Sequence, residues 1–359
     1  MGTIRFALAM AVLLSHLPIT NVKFIGGGLA VQAFFIVSGF YMALVLDGKY
    51  SDLRLFYTNR LLRIFPAYLV MMAISAVFVF GFNATATSTQ EIFATAFRNP
   101  LTALILVFEH VAIVGQDLLF WMKIGPDGGI FLDTTNAPPT EDTPWAWQAL
   151  LVPQSWSLSL ELMFYAVVPF LARLRWQWLA AVAAASIALR LLGHALPIDL
   201  GLWQARIFPT ALFLFVFGML AQRALPMVQR LPAVAGWIAC AVALALVLAL
   251  PLVGLPDGPT RWITYIAIAI TTPFAFHVTR NLTTDRWVGE LSYPLYLTHL
   301  PFIGVVLTFE PPYAVWIAIG GSLALAILLF LLVDRPVDHW RQARAARQSG
   351  IAGAAAATA

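Results

Sequence analysis

Long apolar runs punctuate this chain, and their length restricts its possible folds more than any other feature. Ten of them, at 4–20, 28–47, 64–82, 157–174, 176–193, 206–222, 233–251, 261–280, 288–308 and 312–333, are long enough to span a membrane or nearly so. A backbone that enters hydrocarbon must satisfy its N–H and C=O groups internally, so runs of this length read as helices. The expected fold class is all-α: a polytopic integral membrane protein with about ten transmembrane helices. Composition agrees, since 61% of the 359 residues are hydrophobic and only 11% are charged. A soluble domain is nearer ~25% charged. The first twenty residues resemble a signal peptide, but they lack a small-x-small cleavage site and a second apolar run follows at once. They read as a retained first helix.

The stretch 101–122 is apolar enough to span, yet it carries Glu109, His110, Gln116 and Asp117. Loop charge decides its place. If it does not cross, both termini are cytoplasmic and Lys plus Arg divide 15 inside against 6 outside. If it crosses, every later loop flips and the division becomes 9 against 12, contrary to the positive-inside rule. The expectation is therefore that 101–122 lies at or dips into the outer face, within one large outer region, 83–156. The second half of that region, rich in Gly, Pro, Asp and Thr, reads as loop. Its Trp145 and Trp147 read either as an interfacial belt or as a stacking platform for a sugar ring. Residues 341–359 read as a disordered cytoplasmic tail.

Two function classes are excluded early. The net charge of +4 is distributed between apolar spans and forms no single basic patch, so no nucleic-acid partner is expected. A lone Cys240 excludes intrachain disulfides and cysteine-based metal clusters.

Polar residues inside the spans carry the chemistry. In "RFALAMAVLLSH", Arg5 and His16 are eleven residues apart. That is three helical turns plus about 20°, placing both on one face with ~16 Å between their Cα atoms. In "NRLLRIFPAYLV", Arg60 and Arg63 are neighbours on a helix surface. They serve either as positive-inside anchors or as a phosphate clamp, for which the guanidinium fork is suited. In "SWSLSLELMFYAVVPFL", Glu161 lies about one turn inside the outer end of its span, and the residue three before it is Leu158, so a capping box does not explain it. In "LSYPLYLTHLPF", Ser292, Tyr296 and His299 share a helix face, and Pro294 is expected to kink the span.

Together with "GGGLAVQAFFIVSGFYMA", these stretches occur in this order across about 1–335, and in that order the chain resembles the acyltransferase-3 family of membrane O-acyltransferases. The resemblance implies an enzyme of the bacterial inner membrane that moves an acyl group from cytoplasmic acyl-CoA to a hydroxyl of a surface or exported glycan. Acetyl-CoA is the implied donor, as a substrate and not as a resident cofactor. The implied acceptor is an exopolysaccharide, a lipopolysaccharide or a lipid-linked saccharide. His16 matches the family's essential base, while Arg60 and Arg63 match its Arg-x-x-Arg, implicated in holding the CoA phosphates. Arg5, Glu161, Ser292, Tyr293 and His299 match further motif positions. Many relatives carry an esterase-like domain after the last helix; this chain has none, so another protein is expected to supply that contribution or it is unnecessary.

Attack of a hydroxyl on a thioester needs a base near neutral pH, and imidazole suits it. The expected arrangement has Glu161 orienting the His16 ring, Ser292 or Tyr293 donating to the oxyanion, Arg5 near a CoA phosphate, and Trp145, Trp147 and His299 meeting the acceptor. The competing class is a transporter or flippase of a glycan precursor, which would tolerate loss of His16.

Overall fold

The computed structural model describes residues 1–17, 24–48, 52–83, 87–133, 137–195 and 206–344. Its helices are α1 (Gly2–Ser15), α2 (Gly27–Gly48), α3 (Leu53–Phe82), α4 (Gln90–Ala96), α5 (Pro100–Ala112), α6 (Trp156–Leu171) and α7 (Trp176–Ala195). They continue with α8 (Phe208–Arg223), α9 (Ala233–Ala249), α10 (Asp257–Thr279), α11 (Thr283–Glu290), α12 (Ser292–Phe309) and α13 (Ala314–Leu329). Six helical stretches are long and apolar enough to cross a membrane by length and composition: 27–47, 53–82, 176–193, 257–279, 283–309 and 314–344. Large apolar side chains such as Leu104, Phe170, Ile238 and Leu332 remain exposed on the bundle surface. Lipid covers such a belt without penalty.

The centre of the bundle is the pair α2 and α8. Phe35 stacks on Phe215 at 4.7 Å between ring centroids, and Phe164 of α6 stacks on the same ring at 4.2 Å. Two glycines let the backbones meet. A Cβ on Gly39 would overlap the Phe215 carbonyl, and one on Gly218 would overlap the Ile36 carbonyl.

Several expected boundaries shift, each for a local reason. Helix α3 begins at Leu53, where the Asp52 side chain accepts from Arg54 N–H at 2.8 Å, so Arg60 and Arg63 lie well inside the helix. Pro294 sits in the first turn of α12, where its missing N–H costs nothing, and the chain breaks before it, at Leu291. After α13 a π-helical turn, Phe330–Asp334, leads into further helix that runs through Arg344. Residues 341–344 are thus helical and not tail; residues 345–359 lie outside the described set.

The stretch 101–122 is not one helix. Asn99 caps α5 and Pro100 opens it, but Ile113 at φ 65° and Gly115 at φ 107° turn the chain after only 13 residues. That is ~20 Å of helix against ~30 Å of hydrocarbon. Beyond the turn, β1 (Met122–Ile124) and β2 (Ile130–Leu132) pair antiparallel, with Lys123 opposite Phe131. The segment read from composition as loop therefore contains a strand, because Ile130, Phe131 and Leu132 are β-formers between two turns.

Candidate active site

The site is built from α1 outward. Asp285 of α11 accepts from the free N–H groups of Gly2 (2.7 Å) and Thr3 (2.8 Å), supplying from another helix the cap that α1 lacks in its own sequence. This fixes the start of α1 and hence Arg5. At the other end His16 closes the helix, and its Nδ1 lies 2.8 Å from the Val12 carbonyl. A carbonyl only accepts, so Nδ1 carries the proton and Nε2 presents a lone pair. His16 is exposed.

A cavity of about 590 Å³ opens beside the start of α1, and neither His16 nor His299 is among the residues that line it. One mouth is lined by Arg60, Arg63, Arg280, Arg286 and Arg341; midway stand Arg5, Ser38, Glu161 and Tyr165; Ser157 and Tyr296 line the far end. The arginines are thinly neutralised. Arg63 stands 4.0 Å from Asp334 with its guanidinium over the Tyr293 ring, and Arg60 lies over the Phe56 ring and reaches Met42 Sδ at 3.7 Å. Arg60 Nε is buried without a hydrogen-bond partner. Arg341 pairs with Asp338 and also donates to the Asn59 carbonyl at 3.2 Å.

Glu161 accepts from Ser38 Oγ at 2.9 Å and from Tyr165 OH at 2.5 Å, both on its Oε1. It lines the cavity, where these two hydroxyls are its hydrogen-bond partners, whereas the sequence placed it beside His16. The ring that meets His16 is His299, with centroids 5.1 Å apart and planes at 53°. His299 is fully buried; its Nδ1 lies 2.7 Å from the Tyr296 carbonyl, and its Nε2 has no partner. Tyr296 OH donates to the Gln154 carbonyl and shares a 2.7 Å hydrogen bond with Ser157 Oγ, and both residues line the cavity.

The remaining expected residues take other places. Ser292 Oγ donates to the Gly289 carbonyl and Tyr293 OH to the Ile64 carbonyl, both at 2.6 Å, so neither hydroxyl has a proton left for an oxyanion. Both still line the cavity. Trp145 is buried under Lys123, whose Nζ sits 4.7 Å over the ring, and is a structural residue of the outer region. Trp147 stacks on Phe120 at 5.1 Å, and the Arg206 guanidinium lies 3.8 Å from the Phe120 ring centroid and 5.0 Å from that of Trp156. Sequence reading missed Arg206, which it counted only as a loop charge. It also missed Ser38 and Tyr165, although Tyr165 follows Glu161 at a spacing of four, one turn on.

The outer region behind this site is a tight polar network. Ser159 Oγ donates to Asp117 at 2.7 Å and accepts from Gly115 N–H, while Gln116 joins Ser155, Tyr68 and the Glu109 carbonyl. Burial, with Asp117 adding to it, pushes the Glu109 carboxyl up to about 7, and burial raises Asp117 as well.

Comparison with known families matches residues 3–334 to the acyltransferase domain of the acyltransferase-3 family. Over 353 aligned residues the chain is 27% identical to the exopolysaccharide production protein ExoZ of Rhizobium meliloti (strain 1021), covering 94% of this chain and 97% of that protein. No solved structure matches it.

Proposed function

The chain belongs to the acyltransferase-3 family, and we propose that it transfers an acyl group, acetyl in the first instance, from cytoplasmic acyl-CoA to a hydroxyl of an exported glycan. The observation that carries this reading is the cavity, whose lining holds five arginines besides Arg5 and also Tyr296, the residue whose ring packs 5.6 Å from that of His299. Positive-inside counting makes the arginine-rich mouth cytoplasmic and the chain a ten-span protein of the inner membrane. In this reading the CoA phosphates meet Arg60 and Arg63 as bidentate partners. Arg5 stands further in along the pantetheine arm, and the thioester passes Glu161 and Tyr165 towards Tyr296. The ~16 Å from Arg5 to His16 along α1 is comparable to the reach of that arm.

His16 Nε2 takes the proton of the acceptor hydroxyl as its oxygen attacks the thioester carbon. When the C–S bond breaks, the electron pair stays on sulfur and the proton passes to that thiolate. With the Ser292 and Tyr293 hydroxyls committed to carbonyls, Arg206 is the cation that answers the developing oxyanion charge. The exposed face of His16 and the Trp147–Phe120 shelf form the acceptor side. An exopolysaccharide acceptor is favoured by the similarity to ExoZ along almost the whole chain; a lipopolysaccharide or lipid-linked saccharide would use the same chemistry.

The test is mass spectrometry of base-labile acyl esters on surface glycans from a deletion strain, a complemented strain and one complemented with His16→Ala. Esters that vanish on deletion and return only with the unsubstituted protein support the reading, and the lost mass names the acyl group. Esters that do not depend on the gene overturn it.

A further inference from the structure

Three histidines sit near the outer end of the bundle, and two of them differ from the third in one respect. His110 uses both ring nitrogens: Nδ1 lies 2.6 Å from the Leu106 carbonyl, and Nε2 accepts the Leu151 N–H at 3.0 Å. His16 and His299 each tie Nδ1 to a carbonyl one helical turn back, at 2.8 and 2.7 Å, and leave Nε2 as a lone-pair acceptor. For His299 that acceptor is buried and unpartnered. A buried acceptor left empty is destabilising, so its retention calls for a donor that arrives during function. Solvent does not reach it, and the ring against it is His16. Two imidazoles joined by an N–H···N bond of ~2.9 Å have centroids roughly 5 Å apart, and the observed separation is 5.1 Å.

We propose that His299 is the positioning partner of the base: its Nε2 accepts the N–H of protonated His16 and holds the transferred proton between hydroxyl and thiolate. This rests on the reading of His16 as the base. The proton leaves the acceptor hydroxyl for His16 Nε2 as the new C–O bond forms. It is shared along Nε2–H···Nε2 while the tetrahedral intermediate exists. It passes to sulfur when the C–S bond breaks, and both rings return to their neutral, Nδ1-protonated form. The carboxylate of a Ser–His–Asp triad accepts from the opposite ring nitrogen, which here is tied to the Val12 carbonyl; His299 instead shares the one N–H with the reacting atoms in a three-centre hydrogen bond. No carboxylate contacts this pair among the described residues; the titratable and charged groups facing it are Tyr296, with its ring 5.6 Å from His299, and Arg206.

The experiment compares His299→Gln and His299→Phe in purified full-length protein, using acetyl-CoA and unacylated glycan extracted from the deletion strain. Glutamine keeps an acceptor, whereas phenylalanine fills the buried space and offers none. The expected result is a kcat loss within about tenfold for Gln and of about 100-fold or more for Phe, with KM for acetyl-CoA unchanged in both. A packing role predicts the reverse order, and Phe equal to or better than Gln overturns the proposal. The pH profile of kcat decides independently of how much of each variant folds: the acid limb, which reports the base, is expected to move to lower pH in His299→Phe, and an unmoved limb overturns the proposal. Retained transfer in His16→Ala would instead remove the base assignment, whatever the order of the His299 variants.

Discussion

The cavity and the outer region around residues 87–155 both bury polar groups, and they satisfy them to different degrees. In the outer region many such groups are answered, while Glu109 Oε2 and Gln154 Oε1 are buried without hydrogen-bond partners. Lys123 reaches Asp133 at 2.7 Å, Asp117 accepts from Ser159, Gln116 is held at both ends of its amide, and His110 is bonded at both nitrogens. In and above the cavity the groups are left partly open: Arg60 Nε, Asp334 Oδ2 and His299 Nε2 are buried without hydrogen-bond partners. Native structures pair more than about nine in ten buried polar groups, so a concentration of open ones marks a place completed by something else. Residue type does not separate the two regions, since both hold histidine, arginine or lysine, and acids. Satisfaction does.

The comparison has a sharp form, in which substitutions in the cavity change turnover and substitutions in the outer region change stability. The largest expected effect is that of His16→Ala, a loss of about 1,000-fold in acyl transfer, or about 4 kcal/mol, with thermal stability in detergent unchanged. Next is Lys123→Met, which leaves the Asp133 carboxylate buried without its cation and should cost about 3 kcal/mol of stability while sparing kcat of the surviving fraction. If instead it abolished turnover in folded protein, the division between regions would collapse. Arg63→Ala should raise KM for acetyl-CoA by roughly 10- to 50-fold, about 2 kcal/mol, with little change in melting temperature. A large loss of stability there would mean that the Arg63–Asp334 contact is structural.

The smallest effect concerns Glu109, whose Oε2 is the open carboxylate oxygen of the outer region. Its folded carboxyl lies at about 7, above the ordinary 4.5, so the protonated form is the one the fold favours. Its contribution is complete below about pH 4.5 and is lost as pH rises through 7. The protein should therefore melt lower at pH 8 than at pH 5, by an amount corresponding to about 1 kcal/mol, and Glu109→Gln should flatten that difference. Equal pH dependence in both proteins would place the linkage elsewhere.

How far the sequence reaches follows the same division. Apolar run lengths located the helices, because hydrocarbon-length periodicity is a local property. The Arg5 and His16 pairing was legible because one helix carries both. Contacts made between distant segments were not. Nothing local announces that Asp285 caps α1, that His299 meets His16, or that Arg206 rests on Phe120. Glu161 shows the cost of inferring across helices: the half-buried carboxylate was expected beside His16, and its hydrogen-bond partners are Ser38 and Tyr165.

The glycine contact between α2 and α8 has a mechanical meaning. Ser38, which holds Glu161, precedes Gly39, and Gly39 lies directly on the α8 backbone. A wall fastened main chain to main chain has no slack in which to rotate. The bore of the passage is therefore stiff on that side, and a bulky thioester must be admitted by parts that yield. The opposite side meets the cavity through Arg60, Arg63 and Arg341. Their long side chains swing aside while every helix axis stays where it is.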